Sequence, residues 1–164
     1  MWAAVDFETT GLLLHPQAQA PQPRAVEFAA VRDDGEERVW LFDPGVPLPP
    51  EITKITGITP GMIDGAPPFQ ELWPEIDSFL PKEVWAHNAS FDRGILHAEL
   101  ARFGGNDARR WQCTVEEYAP EWGYRPRLIQ LYEWMFGEPL AQEHRALSDT
   151  RALAAIVRVM KESC

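Results

Sequence analysis

Asp6 and Glu8 stand one residue apart in the stretch Val5-Asp6-Phe7-Glu8-Thr9-Thr10-Gly11. In an extended strand alternate side chains share a face, so both carboxylates project together while Val5 and Phe7 point the other way. The preceding Trp2, Ala3, Ala4 and Val5 are apolar, as in a buried strand. Paired negative charges there repel and lose hydration unless something positive lies between them. A divalent cation is the simplest such partner, and oxygen ligands with no cysteine or histidine nearby favour Mg²⁺ or Mn²⁺ over zinc. Taken alone, the pair is equally compatible with a solvated edge strand carrying two surface acids.

Two more acids occur in contexts that suit a site. Asp92 lies in His87-Asn88-Ala89-Ser90-Phe91-Asp92, after an expected strand at Val84 to His87 and in the first turn of the next helix. The helix dipole there favours an ionised carboxylate, although such an acid can also simply steady its helix. His87 and Asn88, at the strand's carboxyl end, can face a ligand, and Asn88 can equally serve as a turn or cap residue. Asp149 falls near the start of the last helix, with His144 upstream in His144-Arg145-Ala146-Leu147-Ser148-Asp149. Positions five apart are about 140° apart on a helical wheel, so the two do not share a helix face. His144 is expected in the entering loop, where an imidazole can reach the same cavity and accept a proton. The plainer alternative is a surface histidine beside a first-turn acid.

The elements that must position these residues follow from periodicity. The Asp6 strand is followed by Leu12 to Arg24, which holds three prolines and three glutamines and no apolar period, and reads as a long exposed loop. Ala25 to Arg32 alternates, Asp33-Asp34-Gly35 signals a turn, and Val39 to Phe42 resumes the apolar pattern, giving an antiparallel meander of three strands. Ile52, Ile55 and Ile58 suggest short helical turns, and Thr59-Pro60 resembles an N-cap with proline in the first turn. From Phe69 through Leu80 the apolar spacing is helical, with Pro74 implying a start near that residue or a kink. Phe91 to Phe103 marks a helix ending at Gly104-Gly105, and Trp111 to Thr114 suggests a short strand. Helices at Leu128 to Met135 and Ala146 to Met160 complete the chain. Strands first and alternating helices later predict an α/β mixed sheet flanked by helices, in one domain spanning 1–164.

Taken together, Asp6-x-Glu8, His87-Asn88-Ala89-Ser90-Phe91-Asp92 and His144-x-Ala146-x-x-Asp149 resemble, in order and spacing, the DEDD exonucleases of the DnaQ-like class, in their histidine-containing DEDDh branch. Thr9-Thr10-Gly11-Leu12, the Ala25 to Val31 strand and Gly57-Ile58-Thr59 before Met62-Ile63 extend the resemblance over nearly the whole chain. It implies an RNase H-like fold, with an antiparallel set of first strands and further parallel strands. It also implies two Mg²⁺ or Mn²⁺ ions on Asp6, Glu8, Asp92 and Asp149, with His144 as general base for attack of water on the terminal phosphodiester. Thr9, Thr10 and Leu12 would hold the terminal nucleotide, Leu12 wedged against a base, and His87, Asn88 and Phe91 would line the site. Arg93, Arg125 and Arg127 read as solvated surface arginines outside it.

The expected activity is removal of nucleoside 5′-monophosphates from the 3′ end of single-stranded DNA. The alternative is an exoribonuclease of the same class, and a third reading is a non-catalytic binding module on the same scaffold. With Lys+Arg 15 against Asp+Glu 25, a formal net charge of −10 argues against coating nucleic acid through a basic surface and leaves room for a small site at a chain end. No apolar run reaches membrane-spanning length and no secretory signal opens the chain, so a cytoplasmic location is expected. The two cysteines, Cys113 and Cys164, form no framework and are expected as free thiols. Proofreading subunits carry a C-terminal extension that binds a polymerase, and the end at Cys164 favours a stand-alone nuclease or isolated catalytic domain.

Overall fold

The computed structural model describes residues 1–15, 17–141 and 145–162. Five strands form one sheet in the order β3-β2-β1-β4-β5: β1 (Trp2–Thr9), β2 (Ala25–Arg32), β3 (Glu37–Leu41), β4 (Glu83–Ala86) and β5 (Arg110–Cys113). β1 pairs antiparallel with β2, and β2 with β3. β4 runs parallel to β1, and β5 parallel to β4. The expected meander and mixed sheet are both present. Seven helices complete the described residues: α1 (Pro50–Thr56), α2 (Pro60–Ile63), α3 (Phe69–Phe79), α4 (Ala89–Ala101), α5 (Thr114–Trp122), α6 (Leu128–Phe136) and α7 (Ala146–Glu162).

Alternation along β1 divides its side chains between two layers. Ala3, Val5 and Phe7 join the core on the α3 and α4 side, with Phe28, Trp40, Phe69 and Ile95. That layer is largely aromatic: the Phe7 and Phe28 rings lie 4.3 Å apart, and Phe28 stacks on Trp40 at 5.7 Å. Trp2 and Ala4 face the opposite layer, with Leu131, Leu153, Ile156 and Val157 from α6 and α7. The small Ala4, Ala152 and Ala154 in this second layer suit a close approach of helix to sheet. Asp6 and Glu8 continue that face toward the carboxyl end of β1.

Two details differ from the sequence expectation. α3 begins at Phe69 and continues through Pro74, which removes one backbone donor and does not end the helix. α5 lies where no helix was expected: Pro120 sits within it, and Val115, Tyr118 and Trp122 repeat at helical spacing. No helix among the described residues is long and apolar enough to cross a membrane. Cys113 is buried and free, and Cys164 lies outside the described residues.

Candidate active site

β1 and β4 are paired from Trp2 to Ala4 and no further, so the β4 side of β1 lies open from Val5 onward. Asp92, in the first turn of α4, reaches into this opening and accepts a hydrogen bond from the Phe7 backbone N–H at 3.0 Å. α7 crosses the other face. Its Ala146, Thr150, Leu153 and Val157, spaced at three and four residues, are buried. That packing presents Asp149, one turn into the helix, to Asp6 and Glu8. Carboxylate oxygens of Asp6, Glu8 and Asp149 all lie within 4.8 Å of one another, a spacing that can hold a metal ion. Asp92 stands beside this triad.

Electrostatics show how crowded the cluster is. Burial, then the charges of Asp92, Glu8 and Asp149, raises the Asp6 carboxyl well above the usual range. Burial, followed by Asp149, Glu27 and Asp92, pushes Glu8 up to about 8, while Arg145 pulls it down. Burial also lifts Asp92 to about 7, against the lowering effect of the Phe7 N–H and its own backbone N–H. The helix terminus therefore does not keep Asp92 ionised by itself, as its position in the sequence suggested. A divalent cation would restore every one of these groups to the carboxylate form, and an all-oxygen donor set suits Mg²⁺ or Mn²⁺. The residues present fit such ions.

Of the residues expected to hold a nucleotide, His87 and Asn88 line the cavity beside Asp6, and Thr9, Thr10, Leu12 and Phe91 are not among its lining residues. Leu12 is 80% exposed, while its neighbour Leu13 packs against α4. A Cβ on Gly94 would meet Leu13 Cδ1 at 2.4 Å, so the missing side chain of Gly94 is what seats Leu13 and leaves Leu12 projecting. The loop is closed at its base: Thr10 N–H donates to the Arg24 carbonyl and Arg24 N–H to Thr10 Oγ1, both at 2.9 Å. Thr9 is buried and its hydroxyl donates to the Gly11 carbonyl at 2.6 Å. Phe91 is half-buried against the α3 and α4 core. Asn88 caps α4 with a left-handed backbone (φ 66), a conformation asparagine tolerates, and its Oδ1 accepts from Arg125 Nη2 at 2.8 Å.

His87 lines the cavity beside Asp6, yet both ring nitrogens have protein partners. Nε2 donates to the Pro126 carbonyl and the Thr114 hydroxyl donates to Nδ1, each at 2.9 Å. Since a carbonyl only accepts, Nε2 carries the proton. Burial, with the Arg125 charge, lowers this histidine to about 4, so it is neutral. Its place is that of a tie between β4 and the segment ahead of α6. His144 lies outside the described residues.

Sequence reasoning passed over two residues that shape the site. Glu27 on β2 is the register partner of Glu8 and is 1% exposed. Arg145 grips it with both arms of the guanidinium, Nε to Oε1 at 3.0 Å and Nη2 to Oε2, and the Ala146 N–H donates to Oε1 at 3.0 Å. This clamp fixes the start of α7, hence Asp149. A lone glutamate in the otherwise apolar run Ala25 to Val31 was the available signal. The cavity of about 450 Å³ next to the acids is lined by Asp6, Asp149, His87 and Asn88, and also by Arg125 and Arg127, which therefore do not stand apart from it as surface arginines.

The family model RNase_T, described as exonuclease, matches residues 3–157. The chain is 36% identical over 168 residues to a PolC-type DNA polymerase III of Halalkalibacterium halodurans, covering 96% of this chain and 11% of that protein. It therefore spans about a tenth of the length of the PolC relatives. It is 30% identical over 170 residues to a DNA polymerase III subunit epsilon of Treponema pallidum, covering 97% of this chain and 75% of the subunit. Among solved structures, exonuclease X in complex with 5′ overhanging duplex DNA is 27% identical with a TM-score of 0.74, covering 99% of this chain and 92% of that one.

Proposed function

The chain belongs to the DnaQ-like exonuclease family and has its RNase H-like fold; from that premise we propose that this exonuclease removes nucleoside 5′-monophosphates from the 3′ end of single-stranded DNA. The observation that carries the reading is the convergence of Asp6, Glu8 and Asp149 within 4.8 Å, with Asp92 adjacent, in a setting that drives protonation of Asp6, Glu8 and Asp92. Acids so placed have no structural use as a bare cluster.

Asp6, Glu8, Asp92 and Asp149 would hold two divalent cations, which when bound polarise the phosphodiester and stabilise charge on the attacking and leaving oxygens. Asp6 feels the charges of Asp92, Glu8 and Asp149 together, which suits it to be shared between the two ions. His144, one residue ahead of the Glu27–Arg145 clamp, takes the proton of the attacking water. The exposed Leu12 meets the terminal base, and the backbone around Thr9 and Thr10 holds the terminal nucleotide, their hydroxyls being spent on bracing the loop that carries Leu12. Asn88 and His87 line the cavity beside Asp6, while Phe91 packs against the core and supports α4 from behind.

The test is degradation of 5′-labelled DNA and RNA strands of one sequence, with Mg²⁺ and with chelator. A ladder shortened from the 3′ end, stronger for DNA and absent with chelator, is expected. Activity that survives chelation overturns the metal-dependent reading, and a stronger RNA ladder overturns the choice of DNA.

A further inference from the structure

The cavity beside the acids has a second, cationic wall. Eight of the chain's arginines are engaged by carboxylates. Arg125 and Arg127 have no carboxylate partner among the described residues: Arg125 donates to Asn88 Oδ1 at 2.8 Å, and Arg127 touches Gln130 Oε1 through Nε at 3.5 Å. Both side chains are exposed and both line the cavity that reaches Asp6 and Asp149. In a chain of net charge −10, unneutralised guanidinium groups facing a site for an anion are a matched pair with that anion.

The segment that carries them is held in place. Gly123, with φ 72, ends α5 in the left-handed conformation. The Pro126 carbonyl is fixed by His87, and the Arg127 N–H is capped by Gln130 Oε1 at 3.0 Å, opening α6. Tyr124 stands immediately before Arg125, 52% exposed, with its ring packed edge-on against Trp122 at 5.5 Å. An exposed aromatic ring adjacent in the chain to two arginines without carboxylate partners is a combination suited to single-stranded nucleic acid, in which phosphates meet the arginines and a base stacks on the ring.

We propose that Arg125, Arg127 and Tyr124 form a subsite for the polynucleotide strand on the 5′ side of the terminal nucleotide, gripping its phosphodiesters and stacking one base. The inference rests on the exonuclease reading above. The acids and the divalent ions they would hold act on the nucleotide being removed; a separate grip by the arginines on the next phosphates favours a strand over a mononucleotide.

The test compares two substrates. The p-nitrophenyl ester of thymidine 5′-monophosphate offers the terminal nucleotide alone; a single-stranded oligonucleotide offers the strand. In Arg125→Gln/Arg127→Gln, KM for the oligonucleotide should rise about tenfold, the low end for lost charge-assisted contacts at exposed groups, and turnover of the ester should fall by clearly less, since both arginines also line the cavity beside the acids. The salt slope of log(kcat/KM) should fall in magnitude by about 1.4, at ~0.7 per phosphate contact on a single strand. Tyr124→Ala should also raise the oligonucleotide KM while Tyr124→Phe does not. An unchanged oligonucleotide KM and salt slope in the double variant overturns the subsite, as does a parallel loss of ester turnover. Wild-type protein inert toward both substrates in Mg²⁺ would instead overturn the exonuclease reading itself.

Discussion

Replacing Arg145 by methionine tests how far the acidic face depends on one guanidinium. Glu27 is 1% exposed and keeps, without Arg145, only the Ala146 N–H as a donor among its observed contacts. Breaking a buried ion pair by removing one partner costs about 3–5 kcal/mol. The Arg145 side chain is 33% exposed, so the lower end, about 3 kcal/mol, is appropriate. For a domain of this size each kcal/mol moves Tm by roughly 2–4 °C, which places the loss at about 6–12 °C by thermal melting in chelator. Glu27→Gln together with Arg145→Met removes the stranded charge and should recover part of that loss, giving a coupling in the double-mutant cycle of about 0.5–3 kcal/mol. Arg145→Lys keeps the charge but not the forked contact, and should fall between wild type and Arg145→Met.

The same substitution acts on the site. Glu27 faces Glu8 across the β1–β2 register, and Arg145 lowers the Glu8 carboxyl that Glu27 raises. Arg145→Met should therefore make the metal-free protein more dependent on added Mg²⁺, with a larger rise in Tm on titration than wild type shows. A melting temperature within a degree of wild type, or a double variant no more stable than Arg145→Met alone, would refute the clamp.

Three further outcomes follow from the geometry. Glu8 and Asp92 are raised to about 8 and about 7 in the bare cluster, so the folded state binds more protons than the unfolded chain; metal-free stability is fullest below the ordinary carboxylate range and is lost as pH rises toward 8. The slope is about 1.4 kcal/mol per pH unit for each excess proton, and melts in chelator from pH 5 to 8.5 should show it, with saturating Mg²⁺ flattening the curve. His144→Ala should lower kcat by on the order of 10²-fold or more and leave the Mg²⁺-induced rise in Tm intact; loss of that rise would make His144 part of ion binding instead. Gly94→Ala forces Leu13 out of its seat, 2.4 Å from the new methyl, and should raise KM for an oligonucleotide through the displaced Leu12 at little cost in Tm, as Leu13 is the flexible side of the contact.

What could be read from the sequence was what repeats locally. Alternation set the two faces of β1, and helical spacing marked α4, α6 and α7, so the elements bearing Asp6, Glu8, Asp92 and Asp149 were legible before their meeting was. The meeting depends on contacts that no local pattern carries. Asp92 is fixed by a backbone amide 85 residues away, and Glu27 by an arginine 118 residues away. His87 was legible as a residue lining the site, and it does line the cavity beside Asp6, but the bonds that occupy its ring were not. Its two partners come from Thr114 and from Pro126, and the helix between them was itself obscured by Pro120. Arg125 and Arg127 were set aside for a related reason, since an arginine's neighbours decide whether it is a solvated residue or part of a site.

The position of the acids follows from where the sheet parts. If β4 had stayed paired along the whole of β1, the Phe7 N–H would be spent in the ladder and Asp92 would have no entry. Because pairing stops at Ala4, one carboxylate can approach from the α4 layer while Asp149 approaches from the α7 layer, and Asp6 on the central strand is reached by both. The aromatic core beneath β1, anchored by Phe7, Phe28 and Trp40, belongs to the face turned away from the triad. Charge repulsion among Asp6, Glu8 and Asp149 is thereby confined to the α7 face of β1, where it is met by the packing of Trp2 and Ala4 on α6 and α7, while the aromatic layer on the other face is untouched by it.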